Sequence, residues 1–527
     1  MNNWLLRTKP SLLALLLGIA LTFAFAPYGI YPLAFISPAC LLALLLKTNA
    51  RGGFKLGFWF GAGFYGVGVY WVYISMHDVG GLPPPLAIFI TALFIAFLSL
   101  YPATVGYLLN RFFPHRNATK ILCAFPALWI LSEWIRSWLF TGFPWLFLGY
   151  SQTNSPLKGF APLFSVYGVS LVALLASGLI VNAIIQLNKK DYKSVYFNLL
   201  SFTGLWILGA ALCFIPWTKP MGSPISMSLV QGAIPQKIKW SPQHIQLSFD
   251  RYQNLSEPLW GKNKLIIWPE GAIPMALQDV GAFVEEMDKL AKRNQAHLIF
   301  GIPIEARGNK YFNAIVSVGA DKKVYLKRHL VPFGEYVPLT NVFTGLLNIL
   351  QIPMSDVTPG GDDQPAFTIQ GVKILPSICY EIAFPELMLT RDREIGFLMT
   401  LTNDAWFGKS AAQAQHLQMA AMRAVELRRP VTVISNDGLT AIIGPDGNLQ
   451  SQAPPHQTYV LEGSVQPTFG LTPWMYNGMD PLLVILLGLL VIALRSERAA
   501  CRKAALELSF ARHGQLLKDF EEEKINS

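Results

Sequence analysis

Eight apolar runs decide most of what this chain can fold into. Seven crowd into the first 215 residues, at Ser11–Ala26, Ile30–Leu46, Phe54–Met76, Leu86–Leu109, Ile121–Leu139, Leu163–Leu187 and Val195–Ile215, and the eighth is Pro481–Leu494. A helix of roughly 20 apolar residues crosses a bilayer core of about 30 Å. The first, second and last runs are short for this task, and the rest suit it. With 52% hydrophobic and only 14% charged residues, the 527-residue chain has too little charge for a water-soluble protein.

The basic residues flank the apolar runs. Alternate connections hold Arg7 and Lys9, then Lys47, Arg51 and Lys55, then Arg111, Arg116 and Lys120, then Lys189, Lys190 and Lys193. The intervening short connections hold only Lys158. Lysine- and arginine-rich connections stay cytoplasmic, so eight membrane helices with both termini inside are predicted. The net charge of +10 then reads as topology, and no nucleic-acid partner is expected. Four blocks follow: membrane helices one to seven in 1–216, an extracytoplasmic domain in 217–480, helix eight in 481–494 and a charged cytoplasmic tail in 495–527. Nucleotide cofactors are scarce outside the cytoplasm, so a reaction there must draw on energy already stored in its substrates.

Within 217–480, short apolar runs alternate with helical patterns. Strands are predicted at Ile225–Gln231, Lys264–Trp268, His297–Ile302, Ala314–Val318, Lys373–Ile378, Phe397–Thr402, Val431–Ser435 and Thr440–Ile443. Helices are predicted at Pro242–Leu255, Gly281–Asn294 and Ala411–Arg428; in the last, Leu417, Ala420, Ala421, Ala424 and Leu427 recur at three- and four-residue steps. Strands apolar on both faces imply a buried sheet covered by helices. Pro445–Gly447 reads as a hairpin turn.

Three stretches carry chemistry, each at or just past a predicted strand end. Trp268-Pro269-Glu270 offers a carboxylate, the 325–335 loop offers Lys327, and Ser377-Ile378-Cys379 offers the only thiol of the polar segment. A free thiol has a pKa of about 8.5 and needs help to ionise at neutral pH. A desolvated carboxylate can take its proton, and an ammonium can favour thiolate and steady a tetrahedral oxyanion. Taken singly, each has a plainer reading: a solvated turn acid, a basic loop, a small core cysteine.

Together and in this order, Trp268-Pro269-Glu270, the Lys327 loop and Cys379-Tyr380-Glu381 resemble the Glu-Lys-Cys triad of the nitrilase superfamily. The closer resemblance is to its membrane-fused branch, the bacterial apolipoprotein N-acyltransferase family. It extends over Val230–Gln236 with Lys239-Trp240, over His329–Pro338, over Thr402–Gly408 and over Arg423–Glu426. It implies an eight-helix transmembrane base carrying an extracytoplasmic α/β domain, a nitrilase-like α-β-β-α sandwich. It implies Glu270 as general base, Lys327 as oxyanion stabiliser and Cys379 as nucleophile. Glu335, Tyr380 and Glu381 would support them; Trp240, Trp406 and Phe407 would meet substrate, the last two as a hydrophobic gate. The implied reaction is ping-pong, without cofactor or metal. A fatty acyl chain passes from a membrane phospholipid, phosphatidylethanolamine by expectation, to Cys379, and then to the α-amine of a lipoprotein's diacylglyceryl-cysteine. The implied location is the bacterial inner membrane, with the catalytic domain periplasmic. One departure is the apolar strand at Val431–Ser435, where family members commonly carry an arginine.

The rival enzyme is a membrane-tethered amidohydrolase using the same triad, with water resolving the thioester. A transporter would need charged or broken helices at mid-membrane, and the spans hold almost no central charge. Two smaller signals remain. Glu133 and Arg136, three residues apart at the end of the fifth run, are either functional or a mutually neutralising interfacial pair. His416 reads as a cap or packing residue of its helix.

Overall fold

A computed structural model describes residues 10–115, 117–308, 310–336 and 357–525. The expectations touching Arg7, Lys9, Arg116, Val337, Pro338 and the last two residues of the tail lie outside that set.

The first half is helical: α1 (Pro10–Thr22), α2 (Leu33–Leu45), α3 (Ala50–Gly68), α4 (Pro84–Phe112), α5 (Phe125–Trp138), α6 (Ala161–Asn188) and α7 (Tyr192–Cys213). Among the described residues, three helical stretches are long and apolar enough to cross a membrane, namely Pro84–Phe112, Pro156–Asn188 and Tyr192–Cys213. The helices Pro10–Thr22 and Leu33–Leu45 are apolar but shorter. Glycines let the helices close on each other. A Cβ on Gly61 would lie 2.7 Å from the Ser99 Cα of α4, and one on Gly63 would lie 2.1 Å from the Leu15 carbonyl of α1. Gly66, in the same helix, meets nothing within 4 Å and serves no such contact.

Among its described residues, the polar segment folds as two six-stranded sheets and a two-stranded pair of β1 with β14. Its strands are β1 (Thr218–Pro220), β2 (Ile225–Gln231), β3 (Leu265–Ile267), β4 (His297–Ala306), β5 (Lys310–Val318), β6 (Lys323–Leu326), β7 (Phe367–Ile369), β8 (Val372–Ile378), β9 (Ile395–Thr402), β10 (Val431–Ser435), β11 (Ala441–Ile443), β12 (Leu449–Gln452), β13 (Tyr459–Val465) and β14 (Thr468–Gly470). One sheet has the order β13-β2-β3-β4-β5-β6 and the other β12-β11-β10-β9-β8-β7. Side chains alternate along a strand, and this alternation builds the layers. Leu265 and Ile267 of β3 join Phe397, Met399 and Leu401 of β9 in the core between the sheets. Ile266 and Trp268 point the other way, against Phe249 of α8 (Ile245–Ser256) and Met287 of α9 (Gly281–Arg293). On the far side, Leu398, Val431 and Val433 pack with Ala420, Ala424 and Leu427 of α10 (Ala411–Leu427). The result is helix, sheet, sheet, helix.

That last cluster does not stop at α10. The same continuous set of buried side chains takes in Phe60 of α3, Trp145, Tyr150, and Val169 of α6. The helical base and the sandwich therefore share one apolar core. The first turn of α6 is broken at Phe164 and Ser165. The freed Ser165 hydroxyl and Val166 amide both donate to Glu426 Oε1 of α10, at 2.7 and 2.8 Å. The chain ends in one helix, α11 (Asp480–Ile525). The eighth apolar run and the charged tail, read from the sequence as two pieces, are thus one uninterrupted element.

Candidate active site

Glu270 and Lys327 follow β3 and β6 of one sheet, and Cys379 follows β8 of the other. β3 and β4 run parallel, while β4–β5 and β5–β6 are antiparallel, so β3 and β6 end at the same edge. Asn313 of β5 lies between them. Its amide donates to Glu270 Oε1 at 2.7 Å and to Glu335 Oε1 at 2.9 Å, and its carbonyl accepts from the Lys327 amide at 2.8 Å. The Lys327 ammonium is 2.9 Å from Glu335 Oε2 and 3.7 Å from Glu270 Oε1. Lys327 is 1% exposed, and both carboxylates are 13% exposed. One cation therefore serves two nearly buried anions.

This arrangement moves protons in predictable ways. Burial raises the Glu270 carboxyl; Lys327 pulls it back and Glu335 pushes it up again, leaving a stronger base than an ordinary carboxylate. Burial pulls the Lys327 ammonium down, but Glu335 and Glu270 outweigh this and hold it above its usual value, so it stays charged. Burial pushes the Cys379 thiol well up, Glu270 adds to the rise, and Lys327 opposes it. The resting sulfur is therefore a thiol and needs a base at the moment of attack.

Cys379 sits on a sharp turn with φ +52°, a left-handed conformation costly for a side chain with a Cβ. Such strain persists where the surroundings over-determine it, and Glu381 is the fastening. It is fully buried. Its Oε2 accepts from the Ile378 amide at 2.6 Å and the Tyr325 hydroxyl at 2.9 Å. Its Oε1 accepts from the Arg328 amide at 2.7 Å and the His329 amide at 3.2 Å. One carboxylate thus ties the cysteine turn to the loop that carries Lys327.

The remaining expected residues divide. Tyr380 is buried, and its hydroxyl donates to the Gly142 carbonyl of the helical base at 2.9 Å. Trp240 lies beside the Glu270 turn, 3.6 Å from where a Gly271 Cβ would stand, with a buried indole N–H that has no partner among the described residues. Phe407 packs edge-on to Trp71 at 4.8 Å and near Trp145 at 5.9 Å, while the Trp406 carbonyl accepts from Ser75 at 2.8 Å. Both gate candidates thus meet the base.

Sequence reasoning gave four contributors no role at the site. Asn313 was hidden as one polar residue in an apolar strand. Lys239 is fully buried, its ammonium 3.0 Å from the Glu270 carbonyl, and burial lowers its pKa to about 8. Gly301 of β4 allows the Glu270 turn to approach: a Cβ there would be 2.6 Å from the Glu270 Cα. Gly301→Ala is therefore expected to displace Glu270 and lower activity by about 100-fold, a rate loss typical of ångström-scale misplacement; activity within threefold of the parent would refute the close-approach argument. His416 is the fourth. Ser410, not His416, caps α10, its hydroxyl accepting from the Ala412 amide at 3.3 Å. His416 instead bridges Asp404 Oδ1 at 3.0 Å and the Cys379 carbonyl at 3.1 Å.

A separate group, His115, Glu497 and Cys501, brings an imidazole, a carboxylate and a thiol within 4.8 Å of one another. It involves none of the residues above, and His115 already bonds Glu497 directly.

Comparison with known proteins finds relatives of both halves of the chain. The profile of the apolipoprotein N-acyltransferase N-terminal domain matches residues 17–179, and that of the carbon-nitrogen hydrolase family matches residues 245–471. An apolipoprotein N-acyltransferase from Coxiella burnetii is 42% identical over 482 residues, 90% of this chain and 99% of that protein. Another from Methylococcus capsulatus is 39% identical over 492 residues, 93% of this chain and 97% of that protein. Among solved structures, a CN-hydrolase superfamily protein from Xanthomonas campestris aligns with a TM-score of 0.36 at 18% identity, over 50% of this chain and 97% of that one.

Proposed function

We propose residue roles and a reaction path from one premise: this chain belongs to the apolipoprotein N-acyltransferase family. It is a membrane acyltransferase with a carbon-nitrogen hydrolase domain, a phospholipid as donor and a lipoprotein as acceptor. In the first half-reaction, Glu270 takes the Cys379 proton as the sulfur attacks the ester carbonyl. Lys327 faces the oxyanion. The tetrahedral intermediate collapses to a thioester, and the lysophospholipid alkoxide leaves with the proton from Glu270. In the second half, the acceptor's α-amine attacks the thioester, Glu270 removes its proton, and the thiol departs as the amide forms. Ester, thioester and amide are a downhill series, so no nucleotide is needed. Glu335 and Asn313 hold Lys327 and Glu270 in register, and Glu381 holds the cysteine turn. Trp240, Trp406 and Phe407 line the approach of the lipid chains.

The observation carrying this reading is the shared ammonium: Lys327 between Glu270 and Glu335, with Glu381 tying its loop to Cys379. The finer topology follows the charge pattern of the sequence. Eight membrane helices would place residues 217–480 on the periplasmic side of the inner membrane, with 495–527 in the cytoplasm. Phosphatidylethanolamine is the proposed donor. Intact mass spectrometry after exposure to that lipid tests the route. An added acyl mass is expected on the parent, removed by hydroxylamine and missing in Cys379→Ala. A parent that stays unmodified while still acylating a lipopeptide would reject the covalent path. Steady release of free fatty acid from phospholipid alone would favour the hydrolase instead.

The pH dependence has a definite sign. Glu270 acts deprotonated, and burial raises its pKa. The rate of thioester formation should therefore rise with pH through a limb placed above the ordinary glutamate value of about 4.3. Glu270→Gln should abolish the limb with most of the activity. A limb at or below the ordinary value would remove Glu270 as the base.

A further inference from the structure

Two charged side chains of α5 lie deep in the helical base, outside the triad and its supports. Glu133 and Arg136 are 4% and 2% exposed. They do not pair with each other within hydrogen-bond range in this structure. Instead they grip the two ends of one loop. Arg136 donates to the Phe143 carbonyl at 3.1 Å and the Trp145 carbonyl at 2.6 Å. Glu133 Oε1 accepts from the Leu148 amide at 2.8 Å and the Trp129 indole at 3.2 Å. The guanidinium also stands over the Phe147 ring at 4.8 Å and the Tyr65 ring at 5.3 Å. The gripped loop is strained. Phe140, Thr141 and Leu146 all have positive φ, and Gly142 at φ +87° admits no side chain, since a Cβ would fall 1.9 Å from the Ser137 carbonyl. Strain of this kind is held by its surroundings, and the charged pair supplies the hold.

What the loop carries points at the nucleophile. The Trp145 ring stacks on the His416 imidazole, centroids 5.9 Å apart and planes 22° from parallel, and its indole donates to Gln415 at 2.6 Å. His416 reaches the Cys379 carbonyl at 3.1 Å. Its other nitrogen faces Asp404 Oδ1. Both partners are acceptors, so the geometry favours a ring that donates from both nitrogens and carries a charge. Burial opposes that charge, but Asp404 outweighs burial and raises the imidazole's pKa. A second tether runs from the same loop: the Gly142 carbonyl accepts from the hydroxyl of Tyr380, the residue after the nucleophile.

We propose that Glu133 and Arg136 are positioning residues for the acyl-transfer reaction, setting the Cys379 turn through the 142–148 loop, Trp145 and His416. The inference rests on the reading of Cys379 as nucleophile. It makes the membrane base a working part of the active site: the base determines where the sulfur stands.

The test measures thioester formation on the full-length protein in detergent, as a function of phosphatidylethanolamine concentration, for Arg136→Gln, Arg136→Lys, His416→Leu and His416→Gln. Arg136→Gln and His416→Leu are each expected to slow the maximal acylation rate by about 100-fold, leaving the half-saturating lipid concentration unchanged. His416→Gln, which keeps a donor toward the Cys379 carbonyl, should recover most of the rate. Residues acting through one chain are not independent, so the double variant Arg136→Gln/His416→Leu should be no slower than the worse single variant. Losses that multiply in the double variant, or an Arg136→Gln rate within threefold of the parent, would overturn the proposal. If Arg136 variants do not fold, the two His416 variants and Tyr380→Phe decide it on the same criteria, with equal rates for all three counting against it. Iodoacetamide labelling of Cys379, slowed in the same variants, reports the turn's position without the enzyme reaction. If the parent forms no thioester yet labelling still falls, the nucleophile assignment fails while the positioning chain stands.

Discussion

Lys327→Met should lower the rate of thioester formation by about 1000-fold, the upper range for loss of one oxyanion-stabilising group. Two losses combine. The tetrahedral intermediate loses its cation, and Glu270 and Glu335 are left as neighbouring, nearly buried carboxylates joined through Asn313. Two such carboxylates cannot both ionise readily, so one keeps a proton at neutral pH. Whenever that one is Glu270, the base is gone. The acid limb of the rate should therefore move to higher pH in the variant, besides the fall in maximum. Lys327→Arg should not rescue: at 1% exposure there is no space for a larger, forked cation. Quenched-flow mass spectrometry of the acyl-enzyme reads both effects. A Lys327→Met protein working within tenfold of the parent would show that another group faces the oxyanion.

Glu381→Ala should be the most damaging substitution for stability around the site. It strands four donors, the amides of Ile378, Arg328 and His329 and the hydroxyl of Tyr325, of which those of Ile378 and Tyr325 are buried and the other two half-buried. Stranded buried donors cost about 1–3 kcal/mol each. Burial also raises the Glu381 carboxyl's pKa, so deleting it recovers part of that sum. A net loss on the order of 3 kcal/mol is expected, seen as a lower midpoint in thermal unfolding in detergent. Glu381→Gln keeps the shape but should not restore stability, because its amide would point two donors at donors. Activity should fall with it, since the Lys327 loop and the Cys379 turn lose their common anchor. An Ala variant with unchanged melting and turnover would show that the four contacts are incidental.

Sequence periodicity predicts the interior of this molecule better than its edges. β2 and β10 fall where alternation and β-branched content predict them, because both are buried along nearly their whole length. β6, β12 and β13 go unpredicted, since each is an outer strand with an exposed face and at most three apolar residues in a row. The triad candidates stand out because each is a polar residue directly after an apolar strand. Asn313, Gly301 and His416 do not, because their roles depend on partners 12 or more residues away, brought near only by sheet order and by α10. The charged pair Glu133 and Arg136 was visible as an anomaly, but its loop partners depend on a backbone conformation that no propensity encodes. The tail was divided at Leu494 because hydropathy changes there. The helix continues because Ala, Leu, Glu, Lys and Arg, all good helix formers, dominate the tail, which has no proline and a single glycine, Gly514, before the end of α11.

In a free-standing sandwich of this kind, the outer helices would face water. Here α10 has water on neither side: it covers one sheet inwardly and rests outwardly on Tyr150, α6 and the Ser165 break. A fragment cut at 217 and 480 would therefore emerge with a raw apolar flank and with Glu426 stripped of its Ser165 and Val166 donors, and would clump rather than dissolve. The chemistry and the anchor were joined at the level of packing, so neither can be lent to another protein without the other.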